Sequence, residues 1–386
     1  MKKILSLLGL LPILTAASCG AQQKTVSAAP TDNKDARLQF SLDLLAKVAE
    51  STPPQENIIV SPYSAGMALS MLTEGARGQT RAQLEKALRG AHYAGPALYA
   101  DSVNIVSSAN SVWVREGFNV KDAYSRLLEE TYDAALRVRD FSDPATVGQI
   151  NGWCAEQTHG RIPKIVSKID PSMMMFLINA LYFKGLWEDP FSRSATREQT
   201  FHGVSGDKQV EMMHARRKYG FRELEGFQVV TLPYQGGRYT MMCVLPPKGV
   251  SPQQAMAYVD PAYFREAAQA APEEVALSLP KFKMNTAMVL NQVLKAMGAE
   301  LPFSGSADFG DITSASVMVD QVLQKCFLEV NEEGAEAAAV TSISVGLTAV
   351  APSEPVVVRF DRPFLFALYA TRESEILFEG IIQNIP

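Results

Sequence analysis

Cysteine is scarce: four residues in a chain of 386, too few for a disulfide scaffold at this length. Histidine is as sparse, and His92, His159, His202 and His214 fall in no HExxH, HxH or CxxC spacing, which argues against a metal centre. Positive charge is in deficit. With 36 basic against 41 acidic residues the net charge is -5, so nucleic acid is not an expected partner. The motifs GxxxxGK[ST] and GxGxxG are missing, and the glycines around Ser205 lack the strand-to-helix setting of a GxSxG elbow. The chain is therefore not expected to be an enzyme or to carry a cofactor. What it has is apolar bulk: 47% hydrophobic residues, 9% aromatic, and a mean hydropathy of -0.01. That composition excludes an intrinsically disordered chain and supplies a large core. Length alone allows two or three domains, or one large one.

The first segment stands apart from this bulk. Lys2 and Lys3 precede an apolar run from Ile4 to Leu14, then Ala16, Ala17, Ser18 and Cys19. The run is too short to span a bilayer and fits a secretory h-region, so residues 1–18 are expected to be a signal peptide. A cysteine directly after three small residues resembles the lipidation site of bacterial lipoproteins, although Ala16 stands where Leu is more usual. The resemblance implies an exported protein anchored to a membrane through Cys19, periplasmic or at the cell surface. If the lipid site is unused, the same signal gives a secreted protein. Residues 19–34 read as a flexible tether rich in Gln, Ser, Ala and Pro. Cys154, Cys243 and Cys326 sit in apolar contexts and are expected to be buried thiols.

Beyond the tether, Arg37–Val48 has helical spacing. Asn57–Val60 reads as a short strand, and Ser61-Pro62 starts a helix, with Ser61 as N-cap. Further helices are expected over Thr80–Leu88 and Thr146–Thr158. Strands are expected at Met175–Phe183, Gln228–Leu232, Tyr239–Leu245, Val275–Leu279, Val317–Val330, Val356–Phe360, Phe364–Ala370 and Ile376–Ile382. Helices early and strands late, without βαβ alternation, predict an α+β fold with antiparallel or mixed sheets. Glu332 and Glu333 are adjacent, which on a strand would point their carboxylates to opposite faces. Arg216-Arg217-Lys218 reads as a solvated basic edge.

The stretch after Glu332 is the most informative. Ala335, Ala337, Ala339, Thr341, Ile343, Val345 and Leu347 alternate with Glu336, Ala338, Val340, Ser342, Ser344 and Gly346. One set is nearly all apolar and the other small or polar, the period-2 signature of a strand with one buried face. Yet it begins with Gly334 and alanines, residues of weak strand propensity. Small side chains suit a strand that slides into a gap in an existing sheet. An ordinary strand or an Ala-rich loop fits this segment equally well on its own.

Several motifs together resemble the serpins. These are Asn57-Ile-Ile-Val-Ser-Pro-Tyr-Ser64, Ala68–Leu72, Gly75–Thr80, Asn179-Ala-Leu-Tyr-Phe-Lys-Gly-Leu-Trp187, Glu332-Glu-Gly-Ala-Glu-Ala-Ala-Ala339, Asp361–Phe366 and Phe378-Glu-Gly380. They occur in family order and cover residues 35–386. The resemblance implies one domain of about nine helices and three β-sheets. Its reactive loop, about residues 334–355, is bait for a protease. After cleavage the loop inserts into the central sheet while the protease remains attached as an acyl-enzyme. Burying the alternating face and forming ladders on both flanks would release on the order of ten kcal/mol, comparable with a whole domain's stability. Small residues at the inward hinge positions Ala335, Ala337 and Ala339 point to an inhibitory member. The alternatives are a non-inhibitory serpin acting as a binding protein and an inhibitor of papain-like cysteine proteases.

Family spacing puts the reactive bond between Thr348 and Ala349, with Leu347 and Val350 as alternates because the segment to Pro363 is a few residues long. These small aliphatic surroundings suit an elastase-like or subtilisin-like serine protease. Glu332, Gly334, Ala335, Ala337, Ala338 and Ala339 fall on the hinge. Ser61, Ser64 and Asn179 fall on the shutter beneath the central sheet. Gln324 stands where the family commonly has His; an amide can still hydrogen-bond Asn179 there but does not titrate, so a pH-sensitive shutter is not expected. Trp187, Lys281 and Glu332 fall on the breach, where a Lys281–Glu332 ion pair is expected. The protein is expected to be a monomer, with the target protease as partner and membrane contact through the lipid anchor only.

Overall fold

The structure is a computed structural model, and it describes residues 33–95, 103–335 and 354–386. Helix α1 (Asn33–Ser51) buries Leu38, Leu42, Leu45 and Val48 along one side. After β1 (Ile58–Val60), helix α2 (Pro62–Gly75) starts where Ser61 Oγ accepts the Ser64 amide at 3.1 Å and Pro62 presets the first turn. Nearly every side chain of α2 is buried, so this helix runs through the core rather than over it. Next come α3 (Gly78–Ala87), β2 (Ile105–Arg115), α4 (Asp122–Tyr132), β3 (Ala135–Arg139), α5 (Ala145–Gln157) and β4 (Met175–Leu186). The middle of the chain is β5 (Arg197–Gly203), β6 (Gly206–Leu224), β7 (Phe227–Pro233), β8 (Tyr239–Leu245), α6 (Pro252–Ala255) and α7 (Pro261–Ala268). Then follow β9 (Ala271–Pro280), β10 (Phe282–Val289), α8 (Asn291–Ala296), β11 (Gln321–Val330) and β12 (Gly334–Ala335). The chain closes with β13 (Val356–Arg359), β14 (Phe364–Ala370) and β15 (Glu375–Ile382).

The α+β expectation holds. Among the described residues there are eight α-helices and two sheets, where about nine and three were expected. The sheet count differs because β6 is long enough to join two ladders. Its Met212–Phe221 portion pairs β9, and Gly220–Leu224 pairs β7. The resulting nine-stranded sheet runs β1-β15-β14-β8-β7-β6-β9-β13, with β5 also on β6. The second sheet runs β10-β11-β4-β2-β3, with β12 on β4. The strand expected from Val317 starts only at Gln321. Val319 instead bonds the Pro302 carbonyl at 3.0 Å, and Asp320 Oδ2 accepts the Met174 and Met175 amides.

In the second sheet β4 and β11 are parallel neighbours, in register from Phe176↔Gln321 to Tyr182↔Phe327. Beyond that point the two strands continue without pairing each other. Into the opening comes β12, antiparallel to β4, with Gly334 opposite Leu186 and Ala335 opposite Gly185. This is the feature that positions the site.

Candidate functional site: a hinge docked at an open seam

The turn Asn331–Gly334 reverses the chain from β11 to β12. Asn331 Oδ1 accepts the Glu333 amide at 3.0 Å, and the Asn331 amide bonds the Gly334 carbonyl at 2.9 Å. Trp187 fastens the turn from outside. Its indole Nε1 donates to the Asn331 carbonyl at 2.9 Å and its amide to the Glu333 carbonyl at 2.8 Å. The indole is 1% exposed and stacks on Tyr234 with ring centroids 4.3 Å apart. Glu332 and Glu333 therefore lie in a turn, not on two faces of a strand. Glu332 Oε2 is 3.4 Å from Lys281 Nζ, and Oε1 accepts from Thr196 Oγ1 at 2.8 Å. Lys281 also reaches Glu211 at 3.1 Å, and Glu333 pairs with Arg193.

Burial alone would raise the Glu332 carboxyl. Its own backbone N–H, the Thr196 hydroxyl and the Lys281 ammonium outweigh that and hold it below the usual carboxylate value. Burial alone would lower Lys281, but the Glu211 and Glu332 carboxylates raise it. Gly334 follows at φ +148°, where a Cβ would lie 2.0 Å from the Gly185 carbonyl oxygen. Only glycine lets the chain approach β4 so closely. Ala335 is fully buried in the core between the sheets.

The lower half of the seam is held by a polar cluster in an otherwise apolar interior. Gln324 Oε1 accepts the Ser61 amide at 3.0 Å, and its Nε2 donates to the Ser61 carbonyl at 2.8 Å and to Ser64 Oγ at 3.3 Å. Asn179 Nδ2 donates to the Ser64 carbonyl at 3.1 Å and to Asn110 Oδ1. The Gln324–Asn179 hydrogen bond open to these amides is replaced by this arrangement. The two residues are register partners, but both amides bond the buried first turn of α2 instead, Gln324 taking the Ser61 N–H, which has no intrahelical acceptor, and Asn179 the Ser64 carbonyl. Cys326 Sγ lies 3.6 Å from Gln324 Oε1, and burial pushes its thiol well up. Cys154, Cys243 and Cys326 are free and buried, as expected.

The structure thus brings Glu332, Gly334 and Ala335 together with Trp187 and Lys281, and separately Ser61, Ser64, Asn179 and Gln324. Ala337, Ala338 and Ala339, the bond candidates Leu347, Thr348, Ala349 and Val350, and Cys19 lie outside the described residues. Thr196, Arg193, Glu211, Asn331 and Asn110 were not anticipated. Each is a single polar residue with no periodic signal, and all but Asn331, which caps its own turn, meet their partners from far along the chain.

A strand start, Gly334–Ala335, thus lodges in the open end of a parallel seam, and in sequence it precedes a segment of alternating small residues. The family model described as Serpin (serine protease inhibitor) matches residues 35–385. The chain is 32% identical to an uncharacterized serpin-like protein of Thermococcus kodakarensis, over 89% of this chain and 84% of that protein. It is 31% identical to a leukocyte elastase inhibitor of Sus scrofa, over 90% and 98%. The native-state crystal structure of the thermophilic serpin tengpin superposes with a TM-score of 0.83 at 29% identity, covering 91% of this chain and 94% of that one. The chain belongs to the serpin family, whose members are mostly protease inhibitors rather than enzymes.

Proposed function

We propose that this serpin is inhibitory and traps its target as an acyl-enzyme by inserting the segment after Gly334 between β4 and β11. One observation carries the reading: Gly334 and Ala335 already pair with Leu186 and Gly185 where that seam is open. The first inward position, Ala335, takes full burial with a side chain too small to obstruct its followers. The alternating apolar set that continues to Leu347 supplies the driving force once cleavage frees the segment from β13.

The cleaved bond is Thr348–Ala349, with Leu347 or Val350 as alternative recognition residues. The target is an elastase-like or subtilisin-like serine protease, because no Arg or Lys lies in Val345–Val350 to fill a trypsin-like pocket. The likeness to a leukocyte elastase inhibitor supports the same target class. Residues 1–18 direct export, Cys19 carries the lipid anchor, residues 19–32 are the tether because α1 already begins at Asn33, and the protein acts as a monomer at a membrane surface. Incubation with pancreatic elastase tests the reading on a denaturing gel. A band at the summed mass and a released peptide starting at Ala349 are expected. Complete cleavage with no such band, and no rise in heat stability of the cleaved protein, would refute it.

A further inference from the structure

The solvent face of β6, β9 and β13 forms an open basin of about 880 Å³. The middle strand contributes Ala276, Leu277 and Ser278 to its lining. Register sets the walls. Arg359, Ser278 and His214 share one cross-strand row, so the Arg359 and His214 backbones stand two strand spacings, about 10 Å, apart. Arg197, at the start of β5, lines the same basin.

The charges around it are unevenly matched. Arg216 is paired with Glu274 at 2.9 Å, Arg217 reaches Asp189 at 3.8 Å, and Asp361 on the rim lies 3.6 Å from Arg362. Arg197 and Arg359 have no acidic partner among the described residues. Glu198 is the one unpaired carboxylate on the rim among them. His214 Nδ1 meets Ser278 Oγ at 3.0 Å, while its Nε2 is buried without a partner. Burial and the positive field of Arg197 and Arg359 hold the His214 imidazole below its usual value. Two guanidinium side chains without an acidic partner among the described residues and the His214 ring thus line one roomy concavity. A guanidinium fork matches the paired oxygens of a phosphate, and two such forks on one basin suit an anion with more than one phosphate group.

We propose that this basin is a binding site for a small polyvalent phosphate anion, held by Arg197 and Arg359 with His214 between them. The site lies beside both ends of the reactive loop. Arg359 belongs to the strand that follows the loop, and Arg197 directly follows Thr196, which holds Glu332. Binding is independent of protease trapping, so the proposal stands or falls apart from the inhibitory reading.

The test is calorimetric titration of the intact protein with inorganic pyrophosphate at fixed ionic strength. One saturable site per chain is expected, weakened at least tenfold in Arg197→Ala/Arg359→Ala. Glu198→Gln, which removes a repulsive charge from the rim, should tighten binding about threefold. The absence of saturable binding would overturn the proposal. So would undiminished affinity in the double variant with an unchanged circular dichroism spectrum, or weaker binding in Glu198→Gln.

Discussion

Gln324 and Asn179 are register partners across the β4–β11 seam, yet each side chain turns onto helix α2 instead of toward the other. Ser61 and Ser64 at the start of that helix receive both. The two strands that would separate in the proposed insertion are therefore tied to a third element beneath them. Each strand can keep its tie while the strand–strand ladder opens.

Gln324 is the stronger of the two ties. Gln324→Ala would leave the Ser61 amide, in a fully buried residue, without its acceptor. An orphaned buried amide costs about 1–3 kcal/mol. The urea midpoint of the uncleaved protein should fall accordingly, with an unchanged slope. A midpoint equal to the parent's would mean the amide side chain contributes nothing to the seam.

The clasp around Glu332 gives a pH dependence with a definite sign. The folded-state carboxyl is lowered, so its contribution is complete above the ordinary value of 4.5 and is lost as pH falls through the lowered one. Lys281 is raised, so its contribution is complete below 10.5 and is lost as pH rises through the raised value. Glu332→Gln removes the carboxylate end of both effects. The thermal midpoints of parent and variant should differ most on the plateau between about pH 5 and pH 10 and converge below about pH 4. A gap that persists undiminished at pH 3 would contradict the assignment.

Buried strands were the most legible part of the fold. Tyr239–Leu245 and Phe364–Ala370 have the same limits in sequence and structure, because every residue in both runs is buried. The nineteen-residue β6 gave no such run. Much of its first half meets solvent, with Gly206–Gln209 and Glu211 all exposed, so apolar content marks only part of its length. At the site, the Lys281–Glu332 pair and the Ser61 cap followed from local pattern and family resemblance. Thr196 and Asn110 did not, since each gains its partner only through pairing of strands far apart in sequence. Gln324 is the register neighbour of Asn179, yet its amide bonds Ser61 and Ser64. Register indicates which residues are neighbours, whereas unsatisfied backbone at a helix start decides which bonds form.

The hinge supplies the most direct test of insertion, because Gly334 and Ala335 limit it in different ways. At Gly334 the obstacle is backbone: an alanine Cβ would meet the Gly185 carbonyl oxygen at 2.0 Å and the Leu186 Cα at 2.8 Å, and neither can swing aside. Gly334→Ala should release β12 from β4 in the uncleaved protein, seen as faster amide exchange at Ala335. At Ala335 the obstacle is chemical. The side chain is fully buried among Trp187, Phe191 and their neighbours in the core between the sheets, with no room or counter-charge for a cation. Ala335→Arg leaves the proposed reactive bond Thr348–Ala349 unchanged in sequence, so elastase should still cut the loop. Insertion must then bury a guanidinium or stall, and deacylation overtakes a stalled insertion. The variant should be consumed as a substrate, with the stoichiometry of inhibition rising at least tenfold. Inhibition at the parent's stoichiometry would show that the loop does not enter the seam through this position.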